Sequence, residues 1–315
     1  MSAAESLAAF RAFSAIWLPR IEGELDRLLP PVTELPAKLH EAMRYAMFPG
    51  GKRLRPLLAL LGCQASGGDP SQVLTAAAGL ECLHTYSLVH DDLPCMDDDD
   101  LRRGRPTCHK VYGEALALLV GDALLTLAFA AAATGGAAAV QALAIAAGSR
   151  GMVGGQFGDL EAEGDRADHT PARVEWIHDR KTGALITAAL LVGAHAGAQN
   201  HLALPEPLRA LLSTFGDRLG RAFQIADDCL DLTGTAQELG KNPNADAVHD
   251  KLTWPAIFGL DRSLLMAKNL ADEAVSLAPL VVETAAIWRG CRTPDLDAAV
   301  PLLQDAARAA VVRRN

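Results

Sequence analysis

The segment with the most chemically active side chains runs from His90 to Thr107. Six aspartates lie within the ten residues Asp91–Asp100, and three arginines follow at Arg102, Arg103 and Arg105. Carboxylates this close repel one another, so burying them requires compensating charge. Clustered oxygen ligands suit Mg²⁺, which commonly bridges carboxylates to phosphate, and arginine binds phosphate through paired hydrogen bonds. The segment favours a magnesium and phosphate site, although a solvated acidic loop would also fit this segment alone.

A second acidic cluster lies in "FQIADDCLD", late in a helical stretch. Asp227 and Asp231 are four residues apart and share a helix face with Gln224. Two carboxylates at this spacing are mutually unfavourable unless a cation lies between them. The two clusters together therefore predict two acid-bearing helices that face each other, with divalent ions between them and a diphosphate.

Further basic residues predict a second anionic ligand. Lys52, Arg53 and Arg55 lie in "GGKRLRP", and Lys181, Lys241 and Lys251 occur singly later in the chain. A nucleotide phosphate loop is excluded because Arg53 stands where that motif needs Ser or Thr, and no strand precedes it. The short basic runs are typical of a site for a small anion.

The helix that precedes the first acidic cluster carries polar residues on one side. His84, Ser87 and Asp91 follow one another at helical spacing on an otherwise apolar helix, which predicts a cavity wall. The glycine-rich segment "GMVGGQFGDL" is interpreted as a close helix-packing segment, because it lacks the strand-then-helix context of a phosphate loop.

Composition narrows the class of protein. The chain has 315 residues and a net charge of −9, which argues against nucleic acid as a partner. Six cysteines without a C-x-x-C pair predict free thiols in the cytoplasm and no zinc site. The apolar run Ala115–Ala133 contains Asp122, and we expect a buried helix there and no stable membrane insertion.

Most of the chain is rich in alanine and leucine and lacks strand alternation, which predicts an all-α fold in one domain over residues 1–315. The predicted helices are Ala3–Leu29, Leu35–Phe48, Leu54–Gly62, Ser71–His90, Glu114–Ala133, Ala138–Val153, Ala172–Ala198, Pro207–Leu230 and Trp254–Ser276.

These segments together resemble the trans-isoprenyl diphosphate synthases, most closely the bacterial farnesyl diphosphate synthases. The resemblance runs from about Ala42 to Leu260, and weakly to the C-terminal "VVRRN". Its motifs, in the order of the family, are "GGKRLRP", "LECLHTYSLVHDDLPCMDDDDLRRGRPTCHKVYGEA", "GDALLTLAF", "GGQFGDLEAEG", "HDRKTGAL", "FQIADDCLDLTG" and "LGK…DKLTWPA".

The resemblance implies a single-domain helical bundle around a deep central cavity, in a homodimer that uses three Mg²⁺ per active site. It assigns the metal ligands Asp91, Asp97 and Asp227, with the supporting acids Asp92, Asp228 and Asp231. The residues implied at the allylic diphosphate are Arg102, Lys181, Thr182, Gln224, Lys241 and Lys251. Those implied at isopentenyl diphosphate are Gly51, through its backbone, with Lys52, Arg55, His84 and Arg103.

The implied reaction is ionisation of an allylic diphosphate, followed by attack of isopentenyl diphosphate on the carbocation. Tyr86, with Ser87 beside it, matches the position where a bulky residue stops growth at fifteen carbons in this family. Geranylgeranyl or geranyl synthesis and a non-catalytic modulatory subunit are the alternatives. Leu252, where a small hydroxyl residue is expected, and the polar His249 and Asp250 depart from the family pattern near a closing loop.

Overall fold

The computed structural model describes residues 7–48, 50–164, 168–198, 203–234 and 251–312. Within them the fold is all-α apart from one short hairpin, as the sequence predicts. The helices are α1 Ala8–Leu28, α2 Ala37–Met47, α3 Leu54–Ala65, α4 Leu74–Asp91, α5 Cys108–Tyr112, α6 Glu114–Ala133, α7 Ala137–Ala147, α8 Met152–Ala162, α9 Pro171–His178, α10 Ala184–Gly197, α11 Glu206–Thr233, α12 Trp254–Phe258, α13 Leu260–Arg289 and α14 Pro294–Val311. The hairpin pairs β1 Leu101–Arg102 with β2 Arg105–Pro106 in antiparallel register.

The largest hydrophobic core contains residues from the first helix to the last. Ile21 of α1, Leu58 of α3, Leu83 of α4 and Phe215 of α11 are fully buried in it. Each such side chain contributes roughly 1.5–3 kcal/mol through removal from water. This core fixes the bundle whose central helices carry the two acidic clusters.

Helix α6 packs closely on α4, the helix that leads to the first acidic cluster. A side chain at Gly79 would collide with the α6 backbone, and one at Gly121 would collide with the ring of His90. By length and mean hydropathy alone α6 could span a membrane, but 39% of its apolar window is buried inside the fold. The prediction of a buried helix is wrong for its other face, where Leu118, Leu119 and Asp122 are exposed.

Two predicted helices are divided because glycines interrupt the apolar pattern. The predicted helix Ala138–Val153 ends at Ala147, and α8 begins at Met152 after a break that contains Gly148 and Gly151. The predicted helix over Trp254–Ser276 is divided at Gly259, whose φ of 78° is favourable only for glycine. Its predicted end is also wrong, because α13 continues to Arg289.

The predicted helix Ala172–Ala198 contains a turn of π-helix at Asp179–Gly183 between α9 and α10. Such a wide turn redirects side chains and is often found at functional sites. Gly155 of α8 and Gly220 of α11 allow close approach to its backbone. The interpretation of the glycine-rich segment as a packing element is therefore confirmed.

Arg53 organises the segment before α3. Its fully buried guanidinium donates to Glu22 of α1 at 2.7 Å, to Glu81 of α4 at 2.8 Å and to the Met47 carbonyl at the end of α2 at 3.0 Å. These charge-assisted bonds tie three helices to the start of α3. They hold the loop that contains Gly51 and Lys52 against the bundle.

Candidate active site

A cavity of about 450 Å³ lies where α4, α8 and the π turn meet. His84, Ser87 and Asp91 of α4 all line it, so the predicted cavity wall is confirmed. Tyr86 lines it too and is nearly fully buried, which raises the pKa of its phenol. The remaining wall is largely apolar, with the side chains of Leu93, Met96, Leu118, Met152, Val153, Phe157 and Leu160.

The first acidic cluster bends back on itself after α4. The Asp97 amide donates to the Asp91 carbonyl at 2.9 Å, which keeps the two aspartates together. Lys251 Nζ lies 2.9 Å from Asp97 Oδ1, and Lys181 Nζ lies 4.0 Å from Asp91 Oδ2. Burial raises the pKa of Asp91 against the opposing effect of Lys181. Lysines from two distant parts of the sequence therefore meet at the first cluster.

Two polar residues of α8 belong to this site and are missing from the sequence-based assignment. Gln156 donates a short hydrogen bond to Asp91 Oδ1, and Asp159 Oδ2 accepts from Lys181 Nζ at 2.6 Å. Asp159 also lies 3.7 Å from Lys251 Nζ. Although burial opposes it, Lys181 and Lys251 lower the pKa of Asp159. In the sequence, the sign of their role is that an amide and an acid stand three residues apart in the segment that is predicted to pack closely.

Asp92, predicted as a supporting acid, pairs with Arg102. Arg102 Nε donates to Asp92 Oδ1 at 2.9 Å, and its Nη2 donates to Asp99 Oδ2 at 2.7 Å. Burial raises the pKa of Asp92 to about 6, although Arg102 opposes the shift. The pair fixes the guanidinium of Arg102 beside the acidic cluster.

The second acidic cluster reaches the cavity through a chain of hydrogen bonds. Thr182, which lines the cavity beside Lys181, donates to Gln224 Oε1 at 2.6 Å. Gln224 Nε2 donates to Asp228 Oδ1 at 2.8 Å, and the Trp254 amide donates to Asp228 Oδ2 at 2.9 Å. Asp228 therefore connects α11 to the start of α12.

The other acids of this cluster differ in burial. Asp227 is exposed on α11, whereas Asp231 is buried. Thr182 and Gln224 contact each other, and their assignment to the allylic diphosphate stays a prediction. Asp228 accepts a hydrogen bond at each carboxylate oxygen, and its supporting role at the metal stays a prediction.

A second cavity, of about 670 Å³, lies between the start of α3 and helices α1, α11 and α14. All five residues predicted for isopentenyl diphosphate line it: Gly51, Lys52, Arg55, His84 and Arg103. Arg55 and His84 also line the first cavity. Burial holds the pKa of His84 well below its usual value, and the positive charges of Arg55 and Arg103 lower it further. The ring is therefore neutral.

The segment that follows the second acidic cluster is described only from Lys251 onward. Lys241, His249 and Asp250 lie outside the described residues. Leu252 is buried in a small core with Ile177, Ile225 and Trp254. Its apolar side chain therefore anchors Lys251, which reaches Asp97 despite the departure from the family pattern.

The acid groups fit Mg²⁺ better than a transition metal. The described ranges contain no group of three His, Cys, Asp or Glu side chains that could by themselves hold an ion. Mg²⁺ typically takes one or two carboxylates and completes its shell with waters and substrate phosphate. Asp91 and Asp97 supply such carboxylates next to Lys181 and Lys251, which are suited to the same phosphate.

The fold is an isoprenoid synthase-type bundle, and two adjacent cavities in it are lined by basic residues. The polyprenyl synthetase family model matches residues 36–279. The chain therefore belongs to the polyprenyl synthetase family of prenyltransferases, which confirms the resemblance.

Similar curated proteins include plant enzymes. The chain is 44% identical over 250 residues to the large subunit 1 of a heterodimeric chloroplastic geranylgeranyl pyrophosphate synthase of Arabidopsis thaliana. That match covers 76% of this chain and 66% of the relative. A chloroplastic geranylgeranyl pyrophosphate synthase of Catharanthus roseus is 45% identical, with 76% and 68% covered.

Solved bacterial structures share the whole fold. An FPP/GFPP synthase of Zymomonas mobilis has a TM-score of 0.76 at 34% identity, covering 94% of this chain and 98% of that chain. A geranyltransferase of Helicobacter pylori, complexed with magnesium and isoprenyl diphosphate, has a TM-score of 0.76 at 30% identity, with 95% of each chain covered.

Proposed function

We propose that the protein condenses isopentenyl diphosphate with an allylic diphosphate in the trans configuration. The observation that carries this proposal is that Arg55 and His84 line both cavities. A diphosphate bound in each cavity would bring two short hydrocarbon chains together at this shared wall. Mg²⁺, three ions per site by the family resemblance, would be held by Asp91, Asp97 and Asp227 and would add positive charge at the leaving diphosphate.

The reaction breaks the allylic carbon–oxygen bond, and the diphosphate leaves with the bonding electrons. The double bond of isopentenyl diphosphate then attacks the allylic cation, a carbon–carbon bond forms, and one proton is lost. Lys181, Lys251 and Arg102 stabilise the charge that develops on the departing diphosphate. That diphosphate also accepts the proton, so the reaction requires no side chain as a base.

Exclusion of water is the second requirement, since a carbocation reacts with any water that it contacts. The apolar wall that includes Leu93, Met96 and Leu160 contributes to this exclusion in the first cavity. His84 contributes to the isopentenyl diphosphate site, where it lines the second cavity beside Arg55. Lys52, Arg55 and Arg103 bind the diphosphate of the second substrate.

We propose trans-farnesyl diphosphate as the main product, formed from dimethylallyl and then geranyl diphosphate. The support is Tyr86, five residues before Asp91 in α4. Its ring packs edge-to-face on the ring of His90, with 5.6 Å between the ring centroids. Geranylgeranyl diphosphate is the second candidate, because the curated plant relatives are synthases of that product.

A product assay tests both proposals. We expect purified protein with dimethylallyl diphosphate, labelled isopentenyl diphosphate and Mg²⁺ to release a fifteen-carbon prenyl diphosphate, and to release none after chelation of the metal. Chromatography of the dephosphorylated products gives the chain length. A twenty-carbon main product would favour the second candidate, and absence of any prenyl transfer would contradict the proposed reaction.

We further propose that the chain acts in the cytoplasm as a homodimer. The support for the dimer is an exposed apolar surface formed by Leu118, Leu119, Ile145, Val153 and Phe157, three of which also line the first cavity. A second copy on this surface would keep water from the cavity. Light scattering should give the mass of two 33.2 kDa chains, whereas the mass of one would contradict the dimer.

A further inference from the structure

We propose that Tyr45 and Arg105 are positioning residues that clamp the hairpin carrying Arg102 and Arg103 to the end of α2. This clamp holds Arg103 in the isopentenyl diphosphate site and so determines the affinity for that substrate. The inference rests on the proposed function, because Arg103 acts on a diphosphate only if the second cavity binds one. Neither clamp residue lines the second cavity.

Tyr45 attaches the second strand of the hairpin to α2. Its hydroxyl donates to the Pro106 carbonyl at 2.7 Å. The guanidinium carbon of Arg105 lies 4.3 Å from the centre of the Tyr45 ring, within the range of a cation–π contact. One half-buried aromatic residue thus contacts both residues of β2.

Arg105 makes the second attachment at the end of α2. Its Nη1 donates to the Phe48 carbonyl at 2.9 Å, and Phe48 is the C-terminal capping residue of α2. The last carbonyls of a helix lack partners within the helix, and the negative end of the helix dipole favours a cation there. Arg105 therefore satisfies a backbone group that the helix leaves open.

This attachment links the two sides of the isopentenyl diphosphate site. Gly51 lies three residues beyond Phe48 in the sequence, and Arg103 lies two residues before Arg105. A methyl group added at Gly51 would be 3.0 Å from the guanidinium carbon of Arg103. The hairpin and the glycine loop therefore approach each other closely where both line the second cavity.

The two arginines of the hairpin depend on this clamp to different extents. Arg102 has hydrogen bonds of its own to Asp92 and Asp99. Arg103 has a φ of 53°, and its Nη2 lies 3.8 Å from Glu81, beyond hydrogen-bond distance. Loss of the clamp should therefore displace Arg103 more than Arg102, and weaken isopentenyl diphosphate binding more than allylic diphosphate binding.

The test compares Tyr45→Phe with Tyr112→Phe. Tyr112 packs edge-to-face on Tyr45, with 5.4 Å between the ring centroids. Its hydroxyl, however, donates to Glu41 and not to the hairpin. We expect Tyr45→Phe to raise KM for isopentenyl diphosphate about fivefold, in line with loss of one hydrogen bond, and Arg105→Met to raise it about tenfold or more. KM for the allylic substrate and kcat should stay within about twofold, and Tyr112→Phe should change none of them.

Calorimetric Kd values for isopentenyl diphosphate separate this inference from the proposed function. A wild-type protein without prenyl transfer would contradict the function, whereas the clamp is judged by the Kd values of the variants. Partial recovery of Kd in Arg105→Lys, which can still reach a carbonyl, would support the clamp. The clamp is overturned if Tyr45→Phe and Arg105→Met lower Tm but leave the Kd at the wild-type value, or if both substrates weaken equally.

Discussion

Replacement of Asp91 by asparagine is expected to lower kcat/KM by about a thousandfold while the protein stays folded. Asparagine keeps the shape of the side chain and removes the negative charge that would draw Mg²⁺ to the diphosphate. Loss of one preorganised electrostatic contact to the reacting group typically costs 10²–10³ in rate, and Asp91 also contacts Gln156 and Lys181. Steady-state kinetics with both substrates at several Mg²⁺ concentrations measures the effect.

The stability of this variant distinguishes a catalytic effect from unfolding. Asp91 is the last residue of α4, where a negative charge is unfavourable with the helix dipole, and burial raises its pKa. We therefore expect Asp91→Asn to leave Tm unchanged or higher. Asp272→Asn, at an exposed position of α13, is the matched control and should retain full activity. Near-normal activity of Asp91→Asn would exclude Asp91 as a metal ligand.

Replacement of Tyr86 by alanine is expected to lengthen the main product to twenty carbons or more. Tyr86 lies five residues before Asp91, or about 7.5 Å deeper along α4 at 1.5 Å per residue. Under the proposed function, a chain whose diphosphate is bound near Asp91 would grow toward the buried Tyr86 ring, which lines the same cavity. Removal of the ring opens the cavity at that depth, so one more condensation can occur before the chain meets an obstacle.

Tyr86→Phe is the control for this prediction, because it keeps the ring and removes only the hydroxyl. It should give the wild-type product, as sized by chromatography of dephosphorylated products. If alanine and phenylalanine variants both give the wild-type chain length, Tyr86 does not form the floor of the cavity. The thermal midpoint of each variant should be measured, since loss of a buried ring also destabilises the fold.

The sequence predicts the helical architecture well because alanine and leucine favour helices almost everywhere in this chain. One of its failures falls where a single residue interrupts an apolar pattern. Gly259 divides a continuous apolar pattern through its positive φ. Helix α14 was not predicted, although Thr293 caps it and Pro294 begins it. Local capping signals are present there, but they lie beyond the motifs of the family, which end near Leu260.

The site is predictable from the sequence where like charges are clustered. It is less predictable where single residues that are distant in the sequence meet in the fold. The Asp91–Asp100 cluster requires an explanation in terms of charge, and the structure places both Asp91 and Asp97 beside lysines. Asp159 is a single acid on a glycine-rich helix, and only the three-dimensional fold brings it to Lys181 and Lys251. Tyr45 gave no chemical signal, because its role depends on a carbonyl 61 residues away in the sequence.

Diffraction from crystals grown with Mn²⁺ and an unreactive allylic diphosphate analogue tests the central claim most directly. The claim is that both acidic clusters bind one diphosphate through divalent ions. It predicts anomalous scattering peaks next to Asp91 and Asp97, and another next to Asp227, with one diphosphate between them in contact with Lys181. Peaks at the first cluster alone, or a diphosphate bound away from both clusters, would contradict the account.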